Sequence, residues 1–138
     1  MAKLADWHVQ RDAAAARLDR VDDHGKATLH IAALGNCTAS WRAKVQLERG
    51  RYRFEGFARC ARVMPTRDDQ KGEGVGLRIS GTTRPRANKL MGDAPWRKLD
   101  FEFEISPALE SVELVCELRA TQGEAWFDTD SLVLVRLK

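Results

Sequence analysis

Gly50-Arg51-Tyr52-Arg53-Phe54-Glu55-Gly56-Phe57 is a turn glycine followed by strict alternation. Side chains along an extended strand point to opposite faces. Tyr52, Phe54, Gly56, Ala58 and Cys60 therefore share one face, and Arg53, Glu55, Phe57 and Arg59 the other. A strand that is apolar on one side and polar on the other belongs to a sheet with one buried face.

The same period of two recurs outward from this stretch. Trp41, Ala43, Val45 and Leu47 alternate with polar residues before it. After it come Val75, Leu77 and Ile79, then Phe101, Phe103 and Ile105, then Val112, Leu114, Cys116 and Leu118. Turn signals separate the runs at Asp22-Asp23-His24-Gly25, Gly35-Asn36, Arg49-Gly50, Pro107 and Gln122-Gly123. The run Ala13 to Arg20 is rich in alanine, which favours helix. It faces Lys26 to Ala32 across the first turn, and the two read as hairpin partners. Eight or nine short strands of this kind predict an all-β fold, a two-sheet antiparallel β-sandwich, over a single domain of residues 1–138. Residues 1–7 read as a loose lead-in with Trp7 as candidate anchor, and residues 81–95 as a long surface loop. The expected core is Tyr52, Phe54, Leu77, Ile79, Phe101, Phe103, Leu114, Leu118 and Phe127.

Bulk composition narrows the function. The chain has 138 residues, 23 Lys and Arg against 20 Asp and Glu, and a formal net charge of +3. That surplus is small and evenly spread, unlike the basic stripe of a nucleic-acid binder. No apolar run is long enough to span a membrane, and the first residues lack the apolar stretch of a secretory signal. Either the protein is cytosolic or the chain is a module of a larger extracellular or periplasmic protein, the favoured reading, and it is expected to be monomeric. Cys37, Cys60 and Cys116 have no metal-ligand spacing. Cys60 and Cys116 fall at in-facing positions, and Cys37 falls in a turn. Gly-x-Ser-x-Gly, His-Glu-x-x-His and P-loop motifs are absent. Glu102, Glu104, Glu113 and Glu117 could supply a glycosidase carboxylate pair, but alternating glutamates on a strand read better as its solvent face. No enzyme is expected.

The order of signals resembles carbohydrate-binding modules of the galactose-binding-like jelly-roll type. The matching features are Trp7, the strand from Gly25 to Ile31, Trp41, the run Leu47-Glu48-Arg49-Gly50-Arg51-Tyr52-Arg53-Phe54, Trp96-Arg97-Lys98-Leu99 and Trp126-Phe127-Asp128. The resemblance implies a jelly roll of two antiparallel sheets, a structural Ca2+ with Asp128 among its ligands, and a glycan site on a concave sheet or at loop tips. The acidic calcium partner expected near the N-terminus has no clear match; Asp6 and Asp12 are the candidates. In that topology the strands starting near Lys26, Tyr52, Val75 and Val112 form the concave sheet. Their outward faces would then present His30, Glu55, Phe57, Arg59, Arg78 and Glu117 together. A ring with carboxylates and guanidinium groups can stack on a pyranose and hydrogen-bond its hydroxyls. Trp41, near the rim, is the best aromatic candidate among the four tryptophans; Trp96 reads as core, and one of Trp126 and Phe127 must face away from it. The competing class is a protein-interaction or spacer sandwich, in which the same charges are cross-strand pairs that keep an exposed sheet soluble.

Overall fold

The computed structural model describes residues 2–4, 6–11, 15–64, 73–81 and 86–137. Nine strands fill it: β1 Ala2–Lys3, β2 His8–Arg11, β3 Ala16–Asp23, β4 Lys26–Ala33, β5 Cys37–Met64, β6 Gly74–Ile79, β7 Gly92–Ala120, β8 Gln122–Asp128 and β9 Val133–Leu137, with a 3-10 turn at Thr129–Ser131. Every pairing is antiparallel. Among the described residues no helix is long and apolar enough to cross a membrane.

The long strands β5 and β7 run beside each other as one ribbon. Cys37 pairs with Ala120 at one end and Val63 with Gly92 at the other. The register breaks in the middle, where Glu48 pairs with Leu109 and Gly50 with Ile105. Pro107 lies in the surplus stretch of β7, where a missing N–H costs no ladder bond. On one side of this break residues 37–48 and 109–120 join β2 and β6, giving the order β2-β5-β7-β6. On the other side residues 92–105 and 50–64 pair with each other, and β5 continues outward to β8 and β9. Then β4 and β3 follow β8, and β1 follows β9. These are the two layers of the jelly roll, referred to below as the first and second sheets.

The layers meet through the in-facing residues that alternation assigned. Leu29, Ile31, Phe54 and Phe127 of the second sheet and Leu77, Leu114, Cys116 and Leu118 of the first are at most 1% exposed. Gly56 sits at an in-facing position because Leu132 packs against its backbone: a Cβ there would stand 2.5 Å from Leu132 Cδ2. The Asn88 amide joins the two sheet edges, donating to Leu77 O (2.9 Å) and Asp100 O (2.8 Å) and accepting from the Leu77 N–H. The β3–β4 hairpin turns at His24 and Gly25, both with positive φ (54° and 87°), the geometry of a two-residue turn that matches strand twist.

Several expectations need correction. The alanine-rich run is a strand from Ala16 onward, paired with β4 as expected; its residues 13 and 14 lie outside the described residues. The lead-in is not loose where described: β1 pairs with β9, Leu4 is buried, and Trp7 stacks on Phe54 at 6.2 Å. The surface loop of residues 81–95 is shorter than its Gly, Pro and Asn content suggests. Gly92–Ala94 already belong to β7, and Arg86 and Leu90 are buried; residues 82–85 lie outside the described residues. Ile79, at the end of β6, is half-buried rather than core. Cys37 is the first residue of β5 and buried like Cys60 and Cys116; all three are free thiols, pushed up by burial.

Phe103 is 8% exposed and its ring stacks on Tyr52 at 5.7 Å. Phe103→Ala is expected to cost about 3–5 kcal/mol in urea unfolding. A loss under about 1 kcal/mol would put this side chain outside the core.

Candidate functional site

The register divides the residues expected to share one face. His30, Glu55, Phe57 and Arg59 lie on the outer face of the second sheet, whereas Arg78 and Glu117 lie on the outer face of the first. Alternation placed all six correctly on outward faces. It could not say which sheet each strand joins, and β6 and the second half of β7 join the other one.

On the first sheet, the outward groups are closed in. Glu117 is 1% exposed and accepts from Arg78 Nε (2.9 Å) on one oxygen and Arg86 Nε (2.8 Å) on the other. Arg119 Nε stands 3.1 Å from the oxygen that Arg78 takes. Burial pushes the Glu117 carboxyl up, but Arg86, Arg78 and Arg119 outweigh it and leave it below the usual range. Arg86 also donates to Gly74 O (3.0 Å) and Asn88 O (2.6 Å). Its guanidinium occupies the space over Gly76, where a Cβ would collide with it. Beside this group Arg42 donates to Glu113 (2.9 Å), and burial of Glu113 is likewise outweighed by Arg42, with His8 assisting. A general acid needs a raised pKa; Glu113 and Glu117 are shifted the other way. Glu117 is thus a folding residue, and its truncation is not expected to leave the fold intact. Arg86 had no distinct signal in the sequence beyond the glycines at 74 and 76, which open a slot on one face without naming its occupant.

The outer face of the second sheet is open. One row crosses its strands: Asp19 of β3 pairs with His30 of β4, His30 with Trp126 of β8, and Trp126 with Arg59 of β5. Trp96 of β7 extends the row, at the register shift opposite Arg59. The rings of His30 and Trp126 are 5.0 Å apart, and the Arg59 guanidinium lies 3.7 Å over Trp126 and 5.8 Å from Trp96. Lys26 approaches the other tryptophan, Trp96, at 5.6 Å. Polar groups border the row. Asp23 accepts from Arg59 Nε (2.9 Å), and that bond holds its carboxyl below the usual range. Glu124 meets His30 Nε2 (3.1 Å) and Arg62 (2.9 Å). His30 Nδ1 is buried with no hydrogen-bond partner among the described residues. One row further along β5, Phe57 is 41% exposed. Glu55 lies beyond it, gripped by Arg53 (2.8 Å) and Lys98 (2.6 Å), and their pull overcomes the upward push of burial on its pKa. Of the Trp126-Phe127 pair, Phe127 faces in and Trp126 out. Trp96, expected in the core, is half-buried on this outer face.

Trp41 is not part of either face. It is 5% exposed in the core, and its indole N–H donates to His30 O at 3.2 Å, tying the two sheets together. Its alternation with Ala43 and Leu47 carried that information, and proximity to a turn did not outweigh it.

Asp128 caps the 3-10 turn, accepting from Asp130 N (3.2 Å), and pairs with Lys26 at 3.4 Å. Hard cations want several oxygen ligands. Among the described residues no group of three His, Cys, Asp or Glu side chains could hold a metal ion. With an ammonium at one oxygen, the donor set around Asp128 does not fit Ca2+. Asp6 makes no contact with it among the described residues, and Asp12 lies outside them.

No family model matches the chain, and no curated protein matches it. Solved structures do. A family 61 carbohydrate-binding module in complex with β-1,4-galactotriose is similar over 98% of this chain and 91% of that one, with 15% identity and a TM-score of 0.60. A family 4 carbohydrate-binding module is similar over 95% and 86%, with 17% identity and a TM-score of 0.63. The enzymatically active domain of tailspike protein 4 from bacteriophage CBA120 is similar over 95% of this chain but 19% of its own, with 10% identity and a TM-score of 0.59. At these identities the likeness is one of fold: the chain has the jelly-roll β-sandwich of carbohydrate-binding modules.

Two outcomes follow from the site. Glu117, Glu113 and Glu55 titrate below an ordinary value of 4.5 in the fold, so they contribute stability above that pH which is lost as pH falls through their folded values. The melting temperature is expected to drop on acidification below pH 4.5. Glu117→Gln should flatten that acid limb and cost about 3–5 kcal/mol at neutral pH; a melting temperature that rises on acidification would contradict this. Separately, calcium added after chelation should leave the melting curve unchanged, whereas an upward shift would show an ion bound through oxygens outside this set.

Proposed function

We propose that this protein is a non-catalytic carbohydrate-binding module, carried by a larger secreted protein, that binds a glycan across the outer face of its second sheet. The observation that carries this reading is the row of His30, Trp126, Arg59 and Trp96 on four adjoining strands. An aromatic face attracts the weakly positive C–H groups of a pyranose as it attracts a cation. Arg59 and Lys26 lie over these rings with 27% and 43% side-chain exposure, so solvent reaches them and a sugar can share or take their place. Asp23, Glu124 and the guanidinium forks of Arg59 and Arg62 supply acceptors and donors for hydroxyls at the borders of the row. The shared fold with modules that include one bound to galactotriose agrees with this use. The charged edge strand β3, with Arg17, Asp19, Arg20, Asp22 and Asp23, discourages edge-to-edge pairing and supports a monomer.

The second reading is a spacer or protein-interaction domain. It is favoured by the pairing of charges over this face: Arg17 with Asp19, Lys26 with Asp128, Arg59 with Asp23 and Arg62 with Glu124. A glycan array separates the two. Binding should be modest, with Kd on the order of micromolar to millimolar, because an open face stays wet. Trp126→Ala and Arg59→Ala should each weaken it about tenfold or more, equivalent to ~1.4 kcal/mol, with the melting temperature nearly unchanged. Phe57→Ala, one row away, should weaken it less. Binding that survives both Trp126→Ala and Arg59→Ala would exclude this face, and an array without any bound glycan would leave the spacer reading.

A further inference from the structure

The ion pairs on the outer face of the second sheet share an ordering. In the three that border the tryptophan row, the carboxylate lies deeper than its cation. Asp128 is 12% exposed against 43% for Lys26, Asp23 11% against 27% for Arg59, and Glu124 29% against 66% for Arg62. Further along the face, Glu55 lies below both Arg53 and Lys98. The first sheet shows the reverse at Arg42, which lies deeper than Glu113. The fixed layer of the second face is therefore acidic and aromatic. The cations over it are its exposed, replaceable part.

A ligand that takes the place of such a cation inherits its carboxylate. An uncharged ligand leaves an enclosed carboxylate without its counter-charge, which is costly. A ligand with a positive charge of its own restores the pair. Lys26 shows what kind of charge fits. Its Nζ lies 3.4 Å from Asp128 Oδ2 and 5.6 Å from the centre of the Trp96 ring. A primary ammonium held between a carboxylate and an indole face gains from both. The Asp128 carboxylate is fixed from its other oxygen, which accepts the Asp130 N–H. Lys26 itself is partly solvated, and a pair of that kind is weak enough to exchange. Asp128 stands two residues from Trp126 on the same face of β8, roughly 6–7 Å along the strand. A substituent on a sugar stacked over Trp126 reaches that far.

We propose that Asp128 and Trp96 form a seat for an external ammonium group, and that the glycan taken by this row is an amino sugar polymer whose protonated amines enter that seat. This rests on the reading of the row as a glycan site and adds the class of sugar. Lys26 is the chain's own occupant of the seat, and the ligand replaces one primary ammonium by another.

The test is calorimetric titration of the intact chain with glucosamine trimer and with its fully N-acetylated counterpart. It is run at physiological ionic strength and mildly acidic pH, where the free amines are charged. The amino trimer should bind at least tenfold more tightly than the acetylated one. Asp128→Asn, which keeps an acceptor for the Asp130 N–H, should abolish that preference. Lys26→Met should strengthen binding of the amino trimer severalfold by emptying the seat. Lys44→Met makes the same charge change on an exposed residue of the first sheet and should not strengthen it. Should Asp128→Asn fail to fold, the contrast between Lys26→Met and Lys44→Met decides. Equal binding of the two trimers, a preference that survives Asp128→Asn, or equal effects of the two lysine variants would overturn the proposal. Neutral glycans that bind through Trp126 with no preference for the amine would overturn it and leave the row standing as a glycan site. Absence of binding by any sugar would remove both.

Discussion

The pairing of β5 with β7 is the constraint on which the rest depends. These two strands stay in register from Cys37 opposite Ala120 to Val63 opposite Gly92, with the main break where Glu48 and Gly50 face Leu109 and Ile105. Because the ribbon crosses that break, one pair of chain segments builds the middle of the first layer and, in the second, the edge strand β7 and its neighbour β5. Its two halves then dictate what each sheet displays. Residues 109–120 carry Glu113, Glu117 and Arg119 to the outside of one layer, and residues 50–64 carry Glu55, Phe57 and Arg59 to the outside of the other. The in-facing residues of the same two segments, Phe54 and Ala58 on one side and Leu114 and Cys116 on the other, make up much of the core between them. Hydrophobic burial favours the two layers meeting, but the ribbon decides which residues are left outside.

This also explains what could be read from the sequence. A period of two fixes the face of every residue within its strand, and the faces assigned to Tyr52, Phe54, Leu77, Phe101, Leu114 and Phe127 all hold. Trp41 was on the in-facing register from the start. Alternation carries nothing about which strands become neighbours, since that depends on pairings between residues as distant as Cys37 and Ala120. The grouping of His30 with Glu117 failed at that step, not at the assignment of faces. Arg86 and Asn88 were out of reach for a different reason. They act from a loop, where no periodicity applies, and their partners at Gly74, Leu77, Asp100 and Glu117 are joined only by the fold.

The two outer faces put similar residue types to opposite uses. On the first sheet, glutamate and arginine are enclosed at a few per cent exposure, where breaking one partner strands the others. That arrangement holds the segment from Arg86 to Leu90 against β6 through the guanidinium, the Asn88 amide and the Val75–Leu90 bridge. On the second sheet the ion pairs are partly solvated and individually weak. Arg59 at 27% and Arg62 at 66% side-chain exposure can exchange partners at little cost. A surface of weakly held, mutually paired groups around two half-buried indoles can reorganise about a ligand while the strands beneath stay fixed.

The four tryptophans offer the most direct measurement of the central claim. Trp7 and Trp41 lie in the core, and Trp96 and Trp126 lie on the outer face of the second sheet. Each indole N–H gives its own signal in a 1H–15N correlation spectrum. Titration with an oligosaccharide found on the glycan array should move the Trp126 and Trp96 signals together, with the same apparent Kd, and leave those of Trp7 and Trp41 in place. Saturable binding that leaves Trp96 and Trp126 unmoved, while backbone signals near Arg78 and Arg119 shift, would contradict the assignment of the glycan to the second sheet.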